Sequence, residues 1–325
     1  MRRIFRLFII APLLVSVFMS LVSKADFKLS GSDKAHNYLV AGLDEAANNT
    51  DVLFVLSYSP ENALCSAVQI PRDTYCEYKG NFVKINSIFS RSKQSGEKDK
   101  ESMKRLSSYI EDTLGIEIDG YIGMSFENFS DYIDIIGGVY INIPEGFPAE
   151  NYPIHINIGE NLLNGKDSLT FVRHRSSYIT GDLGRLDAQK IFIDGLFHTL
   201  FERVSTKTLI KLIGTAPIKP IFDFPLLDFA EFILKYSDDI RSAGFNILTL
   251  PGEALTDDAG TSYYVINKNA ASDAVSKYIF GKKCDFDPEF KFKSRTEKSF
   301  INSYEKDLIS YKVYSDGEII EITVG

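Results

Sequence analysis

Two arginine-bearing segments, about 100 residues apart, carry the residue types from which an anion site is built. The first, Pro71-Arg72-Asp73-Thr74, closes an apolar run at 64–70 and is followed by Lys84-Ile85-Asn86. The second, Phe171-Val172-Arg173-His174-Arg175, is followed by Gly181-Asp182-Leu183-Gly184-Arg185. Guanidinium forks match phosphate oxygens bidentately. Carboxylates beside them can hold the divalent metal that accompanies a pyrophosphate. A lone Arg–Asp pair reads as a surface ion pair, but two such sets at the ends of predicted elements point to anion chemistry.

Each residue has a local rationale. Asp51 opens a predicted strand; taken alone it reads as a turn cap, with a metal or phosphate-site carboxylate as the alternative. Arg72 and Asp73 directly follow a predicted strand, where ligand crevices form in α/β sheets. Pro71 ends that strand and presents Arg72. Lys84 lies among apolar neighbours, so it either snorkels or aims a point charge at a phosphate. Arg173 and Arg175 alternate, so an extended segment would place both on one side, with an anion relieving their repulsion. His174 then points away and reads as structural. Asp182 and Arg185 flank Gly184 near a predicted helix start, which favours anions, and Gln189 lies one turn on along the same side.

The elements that must position these residues alternate between strand and helix. Short runs at 38–43, 52–58 and 64–70 are rich in branched and aromatic residues and read as strands. Further strands are predicted at 119–125, 139–143, 245–250 and 263–266, with an edge strand at 151–158. Helical periodicity covers 101–114, 126–136, 163–172, 184–204, 206–213, 226–236 and 270–280. Segment 90–100 reads as a charged loop. The pattern predicts an α/β fold, with α+β as the variant, in which a central mixed sheet is flanked by helices. A hairpin is predicted in the tail around Ser315-Asp316-Gly317.

Composition removes several functions. The chain has 325 residues, 44% of them hydrophobic, enough for a full core, and a net charge of −8. That charge argues against nucleic-acid binding through a broad basic face. Cys65, Cys76 and Cys284 show no zinc-ligand spacing. A Cys65–Cys76 disulfide is conceivable, but scattered free thiols are the preferred reading. No serine-hydrolase, zincin, Walker or Rossmann pattern occurs.

Arg2, Arg3 and Arg6 precede an uncharged run at 7–22, which is 16 residues against the roughly 20 of a typical membrane span. A single N-terminal membrane anchor is the preferred reading; a signal peptide cut near Ser23-Lys24-Ala25 is the alternative. Both export the remainder, since the positive end stays inside. The expected organisation is therefore 1–25 cytoplasmic arginines and anchor, 26–36 linker, 37–281 main domain and 282–325 an appended tail.

With these residues in hand, the chain resembles the LytR–CpsA–Psr (LCP) family. The resemblance runs from about residue 37 to 280. Besides the two arginine segments and Lys84-Ile85-Asn86, it includes Tyr38-Leu39-Val40-Ala41-Gly42-Leu43-Asp44, the Asp51 strand, Ile135-Ile136-Gly137-Gly138-Val139 and Leu163-Asn164-Gly165. The resemblance implies an exported phosphotransferase that moves a phosphate-linked glycopolymer, of teichoic acid or capsule type, from a polyprenyl-pyrophosphate carrier to peptidoglycan. It implies a pyrophosphate clamp of Arg72, Arg173, Arg175 and Arg185, and Mg²⁺ on Asp51 and Asp182. Asp73, Lys84 and Gln189 would complete the polar shell. Asp73 is the expected proton acceptor, with Asp51 as the rival where it is not taken up by metal, and Arg72 and Arg175 assist catalysis. The partners implied are the lipid-linked polymer, peptidoglycan and the membrane, with no nucleic acid.

Two positions depart from the family pattern: Asn49 and Ala188 stand where the family often carries arginine. They motivate the alternative of an exported polyprenyl-phosphate- or glycan-binding protein without turnover. A transcriptional regulator is the third reading, and the export signal, the acidic charge and the lack of a helix-turn-helix pattern argue against it. Segments 121–129 and 191–201 are candidates for an apolar groove holding the lipid tail, with ordinary core as the competing role.

Overall fold

The computed structural model describes residues 35–44, 49–178, 182–205, 221–223, 226–281, 292, 309–315 and 318–324. The predicted anchor, the predicted helix at 206–213 and Cys284 lie outside them. Among the described residues no helix is long and apolar enough to cross a membrane.

Strands β1 (His36–Leu43), β2 (Thr50–Ser59) and β3 (Leu64–Gln69) form the centre of an eight-stranded mixed sheet. Its order is β14-β13-β10-β3-β2-β1-β6-β9, adding β6 (Gly120–Ser125), β9 (Ile221–Phe222), β10 (Asn246–Thr249), β13 (Ile309–Ser315) and β14 (Glu318–Val324). Strands β1 and β6, and β3 and β10, run parallel; the other neighbours are antiparallel. Successive side chains of a strand face opposite sides. Accordingly Leu39, Ala41 and Leu43 enter one core while Val40 packs on the other.

Helices cover both faces. Helices α1 (Ser87–Gln94), α2 (Asp99–Leu114) and α7 (Lys268–Val275) supply Phe89, Leu106 and Ala274 to the first core. Helices α5 (Asp182–His198) and α6 (Leu226–Ser242) supply Phe197 and Tyr236 to the second. A third core gathers α3 (Phe126–Ile136), α4 (Gly165–Arg173) and the hairpin of β7 (Val139–Ile143) with β8 (Gly159–Leu163). Gly165 is required here, because a Cβ would lie 2.0 Å from the Ser130 carbonyl oxygen where α3 and α4 approach.

Several expectations change. The predicted edge strand at 151–158 is instead irregular chain after a short 3-10 turn (Ala149–Asn151), and the strand is β8. Asn161 explains the shift: its side chain accepts from the Asn157 N–H at 2.8 Å and donates to the Asn157 carbonyl at 2.7 Å, fixing a turn. The predicted loop at 90–100 begins inside α1, which exists because Ile88 and Phe89 are buried. The tail hairpin forms, but β13 pairs with β10, so it is an integral edge of the sheet rather than an appendage. Cys65 and Cys76 are buried free thiols in the cores on opposite faces, so the disulfide is not formed.

Candidate functional site

The antiparallel register of β2 and β3 pairs Phe54 with Gln69, which brings Asp51 at the start of β2 beside the turn that leaves β3. That turn is Pro71-Arg72-Asp73-Thr74, closed by Thr74 donating its N–H to the Pro71 carbonyl at 3.0 Å and its hydroxyl at 2.6 Å. It is pinned from two more sides. Asn86 N–H donates to the Arg72 carbonyl, and Tyr264 N–H to the Asp73 carbonyl. Sequence-distant chain thus fixes the backbone that presents Arg72, Asp73 and Lys84.

Arg72 occupies the centre. Its Nη1 donates to Asp51 Oδ1 at 2.7 Å, its Nη2 lies 3.8 Å from Asp182 Oδ1, and its Nε lies 3.9 Å from Asp73 Oδ2. Lys84 Nζ reaches Asp73 Oδ1 at 3.0 Å. On the other flank, Arg185 Nη2 lies 2.9 Å and Arg175 Nη1 3.6 Å from Asp182 Oδ1. Four cations therefore meet three carboxylates in one cluster. The Nε atoms of Arg72 and Arg185 are buried and have no hydrogen-bond partner among the described residues.

Electrostatics set these two arginines apart. Burial works against the charge of Arg72, but the hydrogen bond it donates to Asp51 and the fields of Asp182, Asp51 and Asp73 outweigh it and hold its pKa above the ordinary value. Arg185 is 4% exposed at its side chain, and burial, with Arg72 and Arg175 adding repulsion, depresses its pKa despite Asp182. Guanidinium stays protonated in proteins, so Arg185 is an under-compensated buried cation that an anion would relieve. Gly184 permits the geometry: a Cβ there would lie 2.2 Å from the Tyr178 ring, which packs on the first turn of α5.

Most of the predicted residues converge, and two go elsewhere. Asp51, Arg72, Asp73, Lys84, Arg175, Asp182 and Arg185 form the cluster. Arg173 does not share an extended segment with Arg175; it is the last residue of α4, with its guanidinium carbon 4.4 Å from the Phe126 ring centroid. The helix carries on to Arg173 because Phe171 and Val172 are drawn into the third core. Gln189 is buried, and its contacts are internal: Oε1 accepts from Gln69 at 2.7 Å and Nε2 donates to the Val172 carbonyl at 3.1 Å. His174 packs on Tyr152 at 4.5 Å and meets the Ser177 hydroxyl at 2.5 Å; burial lowers its pKa. Asn49 donates to Asp44, and Ala188 is fully buried in the third core. The groove candidates Tyr121, Phe126, Ile191, Phe192 and Phe197 are buried core.

A family model, the LytR_cpsA_psr family, matches residues 19–278. This chain belongs to the LytR_cpsA_psr family. A relative from Bacillus licheniformis, the polyisoprenyl-teichoic acid–peptidoglycan teichoic acid transferase TagU, is 30% identical over 49% of this chain and 50% of its own. The chain spans about half the length of the first curated relatives it matches. The crystal structure of B. subtilis TagV aligns with TM-score 0.61 at 24% identity, over 74% of this chain and 94% of that one. A structure of TagT bound to LIIa-WTA aligns with TM-score 0.60 at 17% identity, over 74% and 88%. These likenesses agree with the mixed sheet flanked by helices.

Within this LytR_cpsA_psr domain, a buried polar chain that sequence reasoning did not find supports the cluster. Thr249 donates to Gln69 Oε1 at 2.9 Å, Gln69 to Gln189, and Gln189 to the end of α4. It ties β10, β3, α5 and α4 together behind the arginines. A glutamine ending the apolar run of β3 was the available signal. Gln189→Leu would leave the Gln69 amide donor buried without its acceptor, at a cost of about 1–3 kcal/mol. Denaturant unfolding should show a lower midpoint; a variant as stable as the wild type would remove Gln189 from this role.

At the far end of α5, His198 lies 2.7 Å from Glu202 and 3.6 Å from Asp194. Its pKa rises to about 9: the hydrogen bond to Asp194 raises it most, burial opposes, and Glu202 adds to the rise. A folded pKa above the unfolded value stabilises below about pH 6.5 and loses that contribution as pH rises through about 9. The ring is one-third exposed, so solvent screening reduces the contribution to about 1 kcal/mol. Wild type should exceed His198→Gln in stability at pH 6 and converge with it near pH 10. A gap that does not change with pH would contradict this.

Proposed function

We propose that this protein transfers a phosphate-linked glycopolymer, of teichoic acid or capsule type, from a polyprenyl-pyrophosphate carrier to peptidoglycan at the outer face of the cell membrane. One observation carries the reading: Arg72, Arg175 and Arg185 converge on Asp182, beside the Lys84–Asp73 pair, and the buried Nε donors of Arg72 and Arg185 have no hydrogen-bond partner among the described residues. A pyrophosphate offers acceptor oxygens for such donors at matching geometry. The names of the family relatives, polyisoprenyl-teichoic acid–peptidoglycan transferases, supply the substrate class.

A sugar hydroxyl oxygen of peptidoglycan attacks the phosphorus joined to the glycopolymer. A new P–O bond forms, the bond from that phosphorus to the bridging oxygen breaks, and polyprenyl phosphate departs with the bonding pair. Asp73 takes the hydroxyl proton, with Lys84 holding its carboxylate in place. Arg72, Arg175 and Arg185 stabilise charge on the transferring phosphoryl and the departing phosphate, pre-aimed and partly shielded from water.

Asp51 and Asp182 fit Mg²⁺ as hard oxygen ligands: their carboxylates flank the Arg72 guanidinium, Asp51 Oδ1 at 2.7 Å from Nη1 and Asp182 Oδ1 at 3.8 Å from Nη2. Among the described residues no group of three or more His, Cys, Asp or Glu could hold a metal. The fit is therefore to an ion that shares its coordination with phosphate oxygens, as Mg²⁺ commonly does. When bound, it would neutralise negative charge on those oxygens.

The N-terminal arginines and apolar run support an anchor that keeps this domain outside the membrane, next to its lipid carrier. Incubating the purified protein with polyprenyl-pyrophosphate-linked polymer and peptidoglycan should release polyprenyl phosphate in step with polymer attachment. Stable lipid binding with no release would instead mark a binding protein.

A further inference from the structure

Beside the Asp73–Lys84 pair lies a surface that the phosphate chemistry does not use. Strands β4 (Tyr75–Tyr78) and β5 (Asn81–Lys84) form a hairpin in which Tyr75 opposes Lys84 and Glu77 opposes Phe82. Opposed residues and alternate residues share a face, so Tyr75, Glu77, Phe82 and Lys84 all project to one side. The strand pair β11 (Gly252–Thr256) and β12 (Ser262–Ile266) brings Tyr263 onto the same side, held there by the Tyr264–Asp73 backbone bond and a bridge from Tyr264 to Thr74. Tyr75 is the fully buried floor, with its ring centroid 5.0 Å from Tyr263 and 5.5 Å from Phe82. Lys84 Nζ lies 5.5 Å from the Tyr263 centroid and 3.0 Å from Asp73. Phe82 is 52% exposed, an uncommon cost for a phenylalanine in a four-residue strand.

We propose that Phe82 and Tyr263 form a platform on which a sugar ring of the acceptor glycan stacks, delivering its hydroxyl to Asp73. The inference rests on the transferase reading and names where its second substrate sits. A pyranose has one face of C–H groups and a rim of hydroxyls. The platform answers with ring surface flanked by the Lys84 ammonium and the Glu77 and Asp73 carboxylates, which hydrogen-bond hydroxyls. A protein partner would need a broader apolar patch, whereas Phe82 is the one strongly exposed large hydrophobic among the described residues of this hairpin. Position decides between acceptor and donor sugars. In-line displacement sets nucleophile and leaving group on opposite sides of phosphorus. The platform adjoins the proton acceptor Asp73, while Arg175 and Arg185 gather at Asp182 on the far flank of Arg72.

The test measures binding rather than turnover. Full-length protein is titrated separately with a tetrasaccharide of alternating β-1,4-linked N-acetylglucosamine and N-acetylmuramic acid, and with polyprenyl pyrophosphate. Phe82→Ala should weaken tetrasaccharide binding about tenfold, Phe82→Tyr should stay within about twofold of wild type, and polyprenyl-pyrophosphate affinity should not move. Wild-type glycan affinity in Phe82→Ala, no glycan binding by the wild type, or an equal loss of lipid affinity would each overturn the platform. Glycan binding that depends on Phe82 in a protein that never releases polyprenyl phosphate would sustain the platform and refute the transferase. Full release with glycan affinity indifferent to Phe82 would do the reverse.

Discussion

Arg72→Ala is expected to slow polymer transfer by about 10²–10³-fold, the usual cost of removing one pre-aimed donor to a developing oxyanion. The size follows from position. Arg72 lies within 3.9 Å of all three carboxylates of the cluster, and its buried Nε has no hydrogen-bond partner among the described residues. Its side chain is partly exposed, so stability should change little beside activity. Arg72→Lys keeps the charge but not the fork, and should recover only part of the rate. Initial rates of polyprenyl phosphate release, with thermal melts alongside, make the comparison. A folded Arg72→Ala protein that transfers at the wild-type rate would remove Arg72 from the chemistry.

Asp51→Asn should have the next largest effect, about 10²-fold on transfer, with loss of Mg²⁺ dependence. The substitution keeps the shape and an oxygen that can still accept from Arg72, but removes the hard anionic charge. Lipid affinity should largely survive, because the arginines remain. Titrating Mg²⁺ against rate in both proteins gives the answer. An unchanged Mg²⁺ profile would reduce Asp51 to a partner that orients Arg72 through its 2.7 Å hydrogen bond.

The sequence revealed the parts of this site more readily than their pairing. The apolar run at 64–70 stopped by Pro71 puts Arg72 and Asp73 at a strand end, and the amphipathic pattern beginning at Gly184 puts Asp182 and Arg185 near a helix start. The Asp51–Arg72 pair depended on the β2–β3 register, which no short motif contains. Arg173 departs from the extended chain that its alternation with Arg175 suggests, because burial of Phe171 and Val172 carries the helix one residue further. Gln189 lies on the expected helix but turns toward Gln69, a partner 120 positions away. Similarly, the main strands were visible as apolar runs, while β4, β5 and β11 were not. Their strand character comes from pairing with neighbours, not from their own composition. The tail hairpin was legible from its turn, yet its docking on β10 was not, because edge pairing leaves no local signal.

The most direct test follows the phosphorus. A polyprenyl-pyrophosphate-linked polymer carrying ³²P only at the phosphate next to the sugar is incubated with peptidoglycan and the purified protein. If a hydroxyl attacks that phosphorus within the Arg72, Arg175 and Arg185 cluster, the label moves into peptidoglycan as a phosphodiester and the released polyprenyl phosphate is unlabelled. Label that leaves with the lipid as polyprenyl pyrophosphate would show attack at the sugar carbon and contradict the account.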